Sequence, residues 1–163
     1  MATTLPVKIE FSLPEGWQPA PPDEVGAPGV AFIALHSASR EGFTANITIA
    51  GKMRDTIDLV AIGDESVQRL REAATVSVAH RTEVGTPEAP ALTQTLRIST
   101  SLHGRLLDLV QSQVYLVMQD VHNPAEHAVI ELVLTAKSTQ IAQVEEDFKD
   151  FVRSLRPADS SAE

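Results

Sequence analysis

The chain has 163 residues, 43% of them hydrophobic, which suits one domain with an ordinary buried core. Its 22 acidic residues outnumber 13 scattered basic ones, leaving a formal charge of −9, so the attraction to phosphate that drives nucleic-acid binding is missing and no nucleic acid is expected as a partner. The absence of cysteine excludes disulfides, thiolate nucleophiles and cysteine-ligated metal centres.

Met1-Ala-Thr-Thr-Leu-Pro6 carries neither the charged start nor the apolar run of a secretory signal, and no apolar stretch approaches the roughly 20 residues of a membrane span. The expectation is a cytoplasmic protein without membrane insertion, or an exported lipoprotein-like relative if a leader precedes it. Abundant alanine, valine and threonine with little lysine fit a GC-rich bacterial source.

Val7 to Ser12 alternates Val7, Ile9 and Phe11 with Lys8, Glu10 and Ser12, the period of a half-buried strand. Pro14 and Gly16 end it, and Gln18 to Pro28 is too rich in proline for a central strand, so it reads as an extended surface loop. Gly29 to Ser37 and Phe43 to Gly51 form the next strand pair, joined at hairpin length. Val60, Val67, Leu70 and Ala74 then recur at helical spacing, predicting a helix over 57–74 weakened by Gly63. Thr75 to Val84 returns to alternation, with Val76, Val78 and His80 on one side.

After a turn at Gly85-Thr-Pro-Glu-Ala-Pro90, Ala91 to Ser99 and Arg105 to Met118 make the longest hairpin, reversing at Ser101-Leu-His-Gly104. Ala128 to Thr135 is compact, apolar and of strand length, hence a central strand. Ile141, Val144, Phe148, Phe151 (or Val152) and Leu155 define a closing amphipathic helix, with Ser138 as its cap and Glu145, Glu146, Asp147 and Asp150 as its wet face. Residues 1–157 therefore read as one α+β domain, a mainly antiparallel sheet of six or seven strands covered by two helices, and 158–163 as a disordered acidic tail.

The opening Phe11-Ser-Leu-Pro-Glu-Gly-Trp17, the Asn46-Ile-Thr48 strand, the single helix, the four-strand meander and the closing Phe148-x-x-Phe151-x-x-Ser154-Leu155 helix resemble the Mog1p/PsbP-like fold, in particular the actinobacterial LpqN/LpqT-type proteins. The resemblance implies that fold over nearly the whole chain. It carries no catalytic residue, and because such proteins serve as adaptors, chaperones, photosystem subunits or exported lipoproteins it implies binding more than catalysis.

Asp120, His122, Glu126 and His127 could offer metal ligands, but their spacing matches no standard site and Asn123-Pro124 marks a loop, so no metal is expected. His36, His80 and His103 stand alone in sequence. No G-x-S-x-G elbow is present, Ala50-Gly-Lys52 lacks the rest of a phosphate-binding loop, and the Asn46-Ile-Thr48 sequon lies within a strand. No cofactor is expected.

The expected function is a non-catalytic protein-binding module, such as a secretion-associated adaptor or chaperone, engaging another protein or a second copy of itself. Its candidate partner loop comprises Trp17, Pro19, Pro21, Pro22, Val25 and Pro28. The alternative is a small-molecule binder or enzyme with a cleft between sheet and helix, where His80 or His103 converge.

Overall fold

The computed structural model describes residues 9–23, 30–37, 43–54, 57–87, 89–102, 104–119 and 127–157. A seven-stranded antiparallel sheet and two helices form the α+β architecture expected. The strands are β1 (Ile9–Glu10), β2 (Trp17–Ala20), β3 (Phe32–His36), β4 (Asn46–Arg54), β5 (Thr75–Gly85), β6 (Pro90–Leu102), β7 (Arg105–Gln119), β8 (His127–Lys137) and β9 (Arg156–Pro157), and the helices are α1 (Leu59–Arg71) and α2 (Ile141–Ser154). The sheet order is β2-β3-β4-β8-β7-β6-β5, with β1 and β9 paired separately.

The first strand differs from expectation. Val7 and Lys8 lie outside the described residues; of Ile9 to Ser12, Ile9 and Glu10 pair, and they pair with β9 outside the main sheet. The seventh strand is Trp17–Ala20, part of the stretch read as a loop. Its proline is tolerated because β2 is an edge strand, where a missing N–H need not break a ladder on both sides.

Alternation along β8 divides the core. Ala128, Ile130, Leu132, Leu134 and Ala136 pack with Ile47 and Ile49 of β4 beneath Val144, Phe148 and Phe151 of α2. Val129 faces the other way and joins Leu92 and Tyr115 under Leu59 and Ile62 of α1, while Val67 closes over Val76, Leu96 and Ile98. The helices therefore cover opposite faces of one sheet, α1 toward β5 and β6 and α2 toward β8.

Several local readings are corrected. Val60 points outward, the inner face of α1 being Leu59, Ile62, Gly63, Ser66 and Val67. Gly63 brings the helix close to the sheet, since a Cβ there would stand 3.0 Å from Gln94 Oε1 and 3.1 Å from Leu92 Cδ2. In β5 a register shift between Val78 and His80 reverses the alternation, so Arg81, not His80, shares the α1 face with Val76. Ser138 does not cap α2: the N-cap is Gln140, whose Oε1 accepts from the Lys137 N–H and whose Nε2 donates to the Phe43 carbonyl, each at 2.9 Å. The long hairpin reverses where expected: Leu102 pairs with Arg105, and Gly104 has the positive φ (78°) that a tight reversal needs.

Candidate binding trough

On the α1 face, the alternates that avoid the α2 core are Asn46, Thr48, Ala50 and Lys52 in β4 and Val129, Glu131, Val133 and Thr135 in β8. Because α1 lies over β5 and β6, two adjoining cavities of about 370 Å³ each open between it and the β4–β8 pair. They share Arg69 and Glu131 and form one trough along β8 from Val129 to Thr135. One end has an apolar floor of Ile62, Tyr115 and Val129 with Lys52, Arg54 and Glu65 around it. The other is lined by Asn46, Thr48, Ser66, Gln111, Gln113 and Thr135.

Strand register explains the wall of the trough. One row across the sheet runs Arg81, Gln94, Gln113, Val133, Thr48, and the next runs Leu92, Tyr115, Glu131, Ala50. Neighbours in a row lie side by side on the same face, so polar groups distant in sequence meet. Asp64 Oδ1 accepts from Arg81 Nη1 (2.8 Å), and Arg81 Nε donates to Gln94 Oε1 (2.9 Å). Gln94 Nε2 donates to Gln113 Oε1 (2.6 Å) and the Gly63 carbonyl (3.3 Å), and Gln113 Nε2 donates to Ser66 Oγ (3.1 Å) and Gln111 Oε1 (2.7 Å). The Tyr115 hydroxyl donates to Gln113 Oε1 (2.9 Å). Gln94 and Gln113 are only 1% and 2% exposed, so these bonds meet the requirement that buried amides be satisfied.

Tyr115 is fully buried, and its burial holds the phenol protonated far above the ordinary tyrosine range; the negative charge of Glu131 pushes the same way. Arg54 reaches Glu65 through Nη2 at 3.6 Å, while its Nε is buried with no hydrogen-bond partner among the described residues. Lys52 and Arg69 form no ion pair among the described residues. An acidic chain thus places two uncommitted cations at the mouth of a polar wall whose buried glutamine amides are hydrogen-bonded, while Arg81 Nη2 is buried in it without a partner among the described residues.

The residues singled out from sequence lie elsewhere. Trp17 is buried, its Nε1 donating to Asp147 Oδ2 at 3.0 Å and its ring against His36 at 5.0 Å, so Asp147 is a core partner and not merely part of a wet face. Pro19 and Pro21 are exposed and Pro22 is half-buried, whereas Val25 and Pro28 lie outside the described residues. His80 is exposed and 2.7 Å from Thr82 Oγ1, and His127 opens β8 opposite Arg54 and Gln119. His103, Asp120, His122 and Glu126 lie outside the described residues. The cleft between sheet and helix exists, but neither His36, His80 nor His127 lines it. Among the described residues no group of three histidine or carboxylate side chains could hold a metal.

The trough residues escaped the sequence reading because each sits in an ordinary strand or helix pattern. Glu131, the one charge in the apolar run Ala128 to Thr135, and the Gln111-Ser-Gln113 alternation were the available signals.

The overall fold recurs in solved structures. LpqN of Mycobacterium tuberculosis, a protein involved in cell envelope biogenesis, superposes with a TM-score of 0.65 at 13% identity, covering 92% of this chain and 84% of that one. Cyanobacterial PsbP from Synechocystis gives 0.62 at 14% identity, over 92% and 86% of the two chains. The fold is Mog1/PsbP-like. A Pseudomonas aeruginosa protein of unknown function is also similar, at 0.58 and 15% identity over 94% of this chain and 99% of that one. No protein-family model and no curated protein matches by sequence. These likenesses place the trough on a Mog1/PsbP-like framework, and none of the described helices is long and apolar enough to cross a membrane.

Proposed function

We propose that this chain is a non-catalytic protein-binding module of adaptor type whose seat is the trough between α1 and the β4–β8 pair. The observation that carries the reading is the trough itself: an elongated, open concavity with uncommitted Lys52 and Arg69 at its mouth and a wall whose buried glutamines are held by hydrogen bonds. Side chains locked into hydrogen bonds make a rigid surface, which lowers the entropic cost of holding a partner. Among the described residues the exposed large apolar side chains Met53, Val60, Val78, Val84 and Leu106 are spread over four elements, so support for docking comes from the trough and not from a broad apolar face of these residues. Likeness to LpqN, itself involved in envelope biogenesis, is compatible with a module that works by holding another protein.

A photoreactive residue at Thr48 tests the reading, with one at exposed Glu83 as control. Crosslinking in native lysate is expected from Thr48, with a discrete partner or a second copy of the chain, and to be lost in Arg69→Glu. Equal labelling from both positions, or labelling indifferent to Arg69→Glu, would remove the trough as the seat. A cytoplasmic setting belongs to the same proposal and is checked by fractionating the source cells.

A further inference from the structure

We infer that the occupant of the trough is an extended, acidic segment of a partner protein, with carboxylates against Arg69 and Lys52 and an apolar side chain at the Ile62–Tyr115–Val129 end. The inference rests on the reading of the trough as the binding seat and adds the chemistry of what sits there.

Length argues for a segment. Val129 to Thr135 spans six residue steps, about 20 Å at the rise of a β-strand, which matches roughly six residues of extended chain. Both cavities open to solvent along this length, whereas a small molecule is ordinarily enclosed. Asn46, Thr48, Gln111 and Thr135 set amide and hydroxyl groups along the polar half, the groups that pair with the main chain of an extended peptide.

Charge argues for acidity and sets its position. Lys52, Arg54 and Arg69 line the trough with Glu65 and Glu131, and the Arg54–Glu65 pair takes one charge of each sign. Glu131 then stands against two free cations, a local excess of positive charge in a chain of net −9. Arg69 lies where the two halves meet and presents a planar guanidinium, suited to a bidentate carboxylate, while Lys52 offers a point charge at the apolar end. Glu131, on the floor beside Tyr115, repels a carboxylate placed directly over it. The acidic groups of the segment therefore belong at the rim and a neutral residue at its centre. At the apolar end, the accessible edges of Ile62 and Val129, backed by the buried Tyr115, accept one aliphatic or aromatic side chain.

The test uses labelled hexapeptides of one apolar and two acidic residues, their amide (Asn/Gln) counterparts, their lysine counterparts, and free glutarate and hexanoate as small carboxylates. Binding is read by fluorescence anisotropy, and its place by amide chemical shifts at Thr48 and Val133. The acidic peptides are expected to shift Thr48 and Val133, to weaken at least tenfold on conversion to amides, to weaken similarly in the exposed double variant Lys52→Gln/Arg69→Gln, and to lose affinity with added salt. Peptides that shift Thr48 and Val133 equally whatever their charge would overturn the acidic segment while leaving the trough as a protein seat. Glutarate or hexanoate binding as tightly as the peptides would overturn it in favour of a small ligand. Capture of a partner protein without any shift at Thr48 and Val133 would overturn both the segment and the seat.

Discussion

Tyr115 joins stability to the candidate site at the scale of a single residue. It is the chain's only tyrosine, so its ionisation can be followed without interference. In the unfolded chain the phenol ionises near pH 10, whereas burial, and then the charge of Glu131, keep it protonated in the folded protein well beyond that point. Between the two values the unfolded state has released a proton that the folded state retains, so stability falls as pH rises above about 10. Tyr115→Phe is expected to flatten that decline, read as the thermal midpoint against pH for both proteins. Phenolate absorbance appearing near pH 10 in a chain still folded by Trp17 fluorescence would contradict it. Gln113 is the second critical residue, since its Oε1 accepts from both Gln94 and Tyr115. Gln113→Leu takes the acceptor from the Tyr115 hydroxyl and from one N–H of Gln94, whose bond to the Gly63 carbonyl remains, and each unsatisfied group costs roughly 1–3 kcal/mol, to be read from the urea midpoint. Gly63→Val drives a branched side chain into Gln94 and Leu92, and a loss of roughly 1–3 kcal/mol is expected in the same assay.

The two helices begin differently, and mutation should separate them at the scale of the element. Asp58 caps α1 by accepting from the Ala61 N–H at 3.1 Å, so Asp58→Ala should cost about 1 kcal/mol. Ser138→Ala should stay within about 0.5 kcal/mol, as ordinary surface substitutions do. Gln140→Ala, which loses bonds to Lys137 and Phe43, should cost more than Ser138→Ala. A denaturation series on these variants checks the order, and Ser138→Ala costing the most would restore the sequence reading. The cap was misjudged because serine is the commoner N-cap, while the glutamine used here reaches a carbonyl 97 positions away, a contact no local rule contains. The irregularity in β5 escaped for the same reason: strict alternation hides an extra residue until the partner strand is known.

At the scale of the whole molecule, the first and last described strands meet. β1 pairs with β9, Ser154 Oγ accepts from the Ser12 N–H at 2.9 Å, and the Phe11 ring meets Phe32 and Phe151 edge-on at 5.0 and 5.3 Å. Ending the chain after Leu155 removes the partner of β1. The expected result is faster amide exchange at Ile9 and Glu10 and a lower denaturation midpoint; unchanged exchange would show that the ring contacts alone hold this segment.

Sequence by itself determined what depends on local period and composition. It determined the acidic charge balance, both helices, the antiparallel pairs β3–β4 and β6–β7, and the central place of Ala128 to Thr135, because the spacing of apolar residues records which face is buried. Only the tertiary structure decided that β2 is the edge strand, that the helices lie on opposite faces, and that Lys52, Arg69, Tyr115, Gln113 and Glu131 surround one trough. Those facts depend on strand order and register, which set residues tens of positions apart side by side. An isolated strand carries the same alternation whatever its neighbour, so the trough had no local signature beyond one carboxylate in an apolar run and the Gln111-Ser-Gln113 alternation.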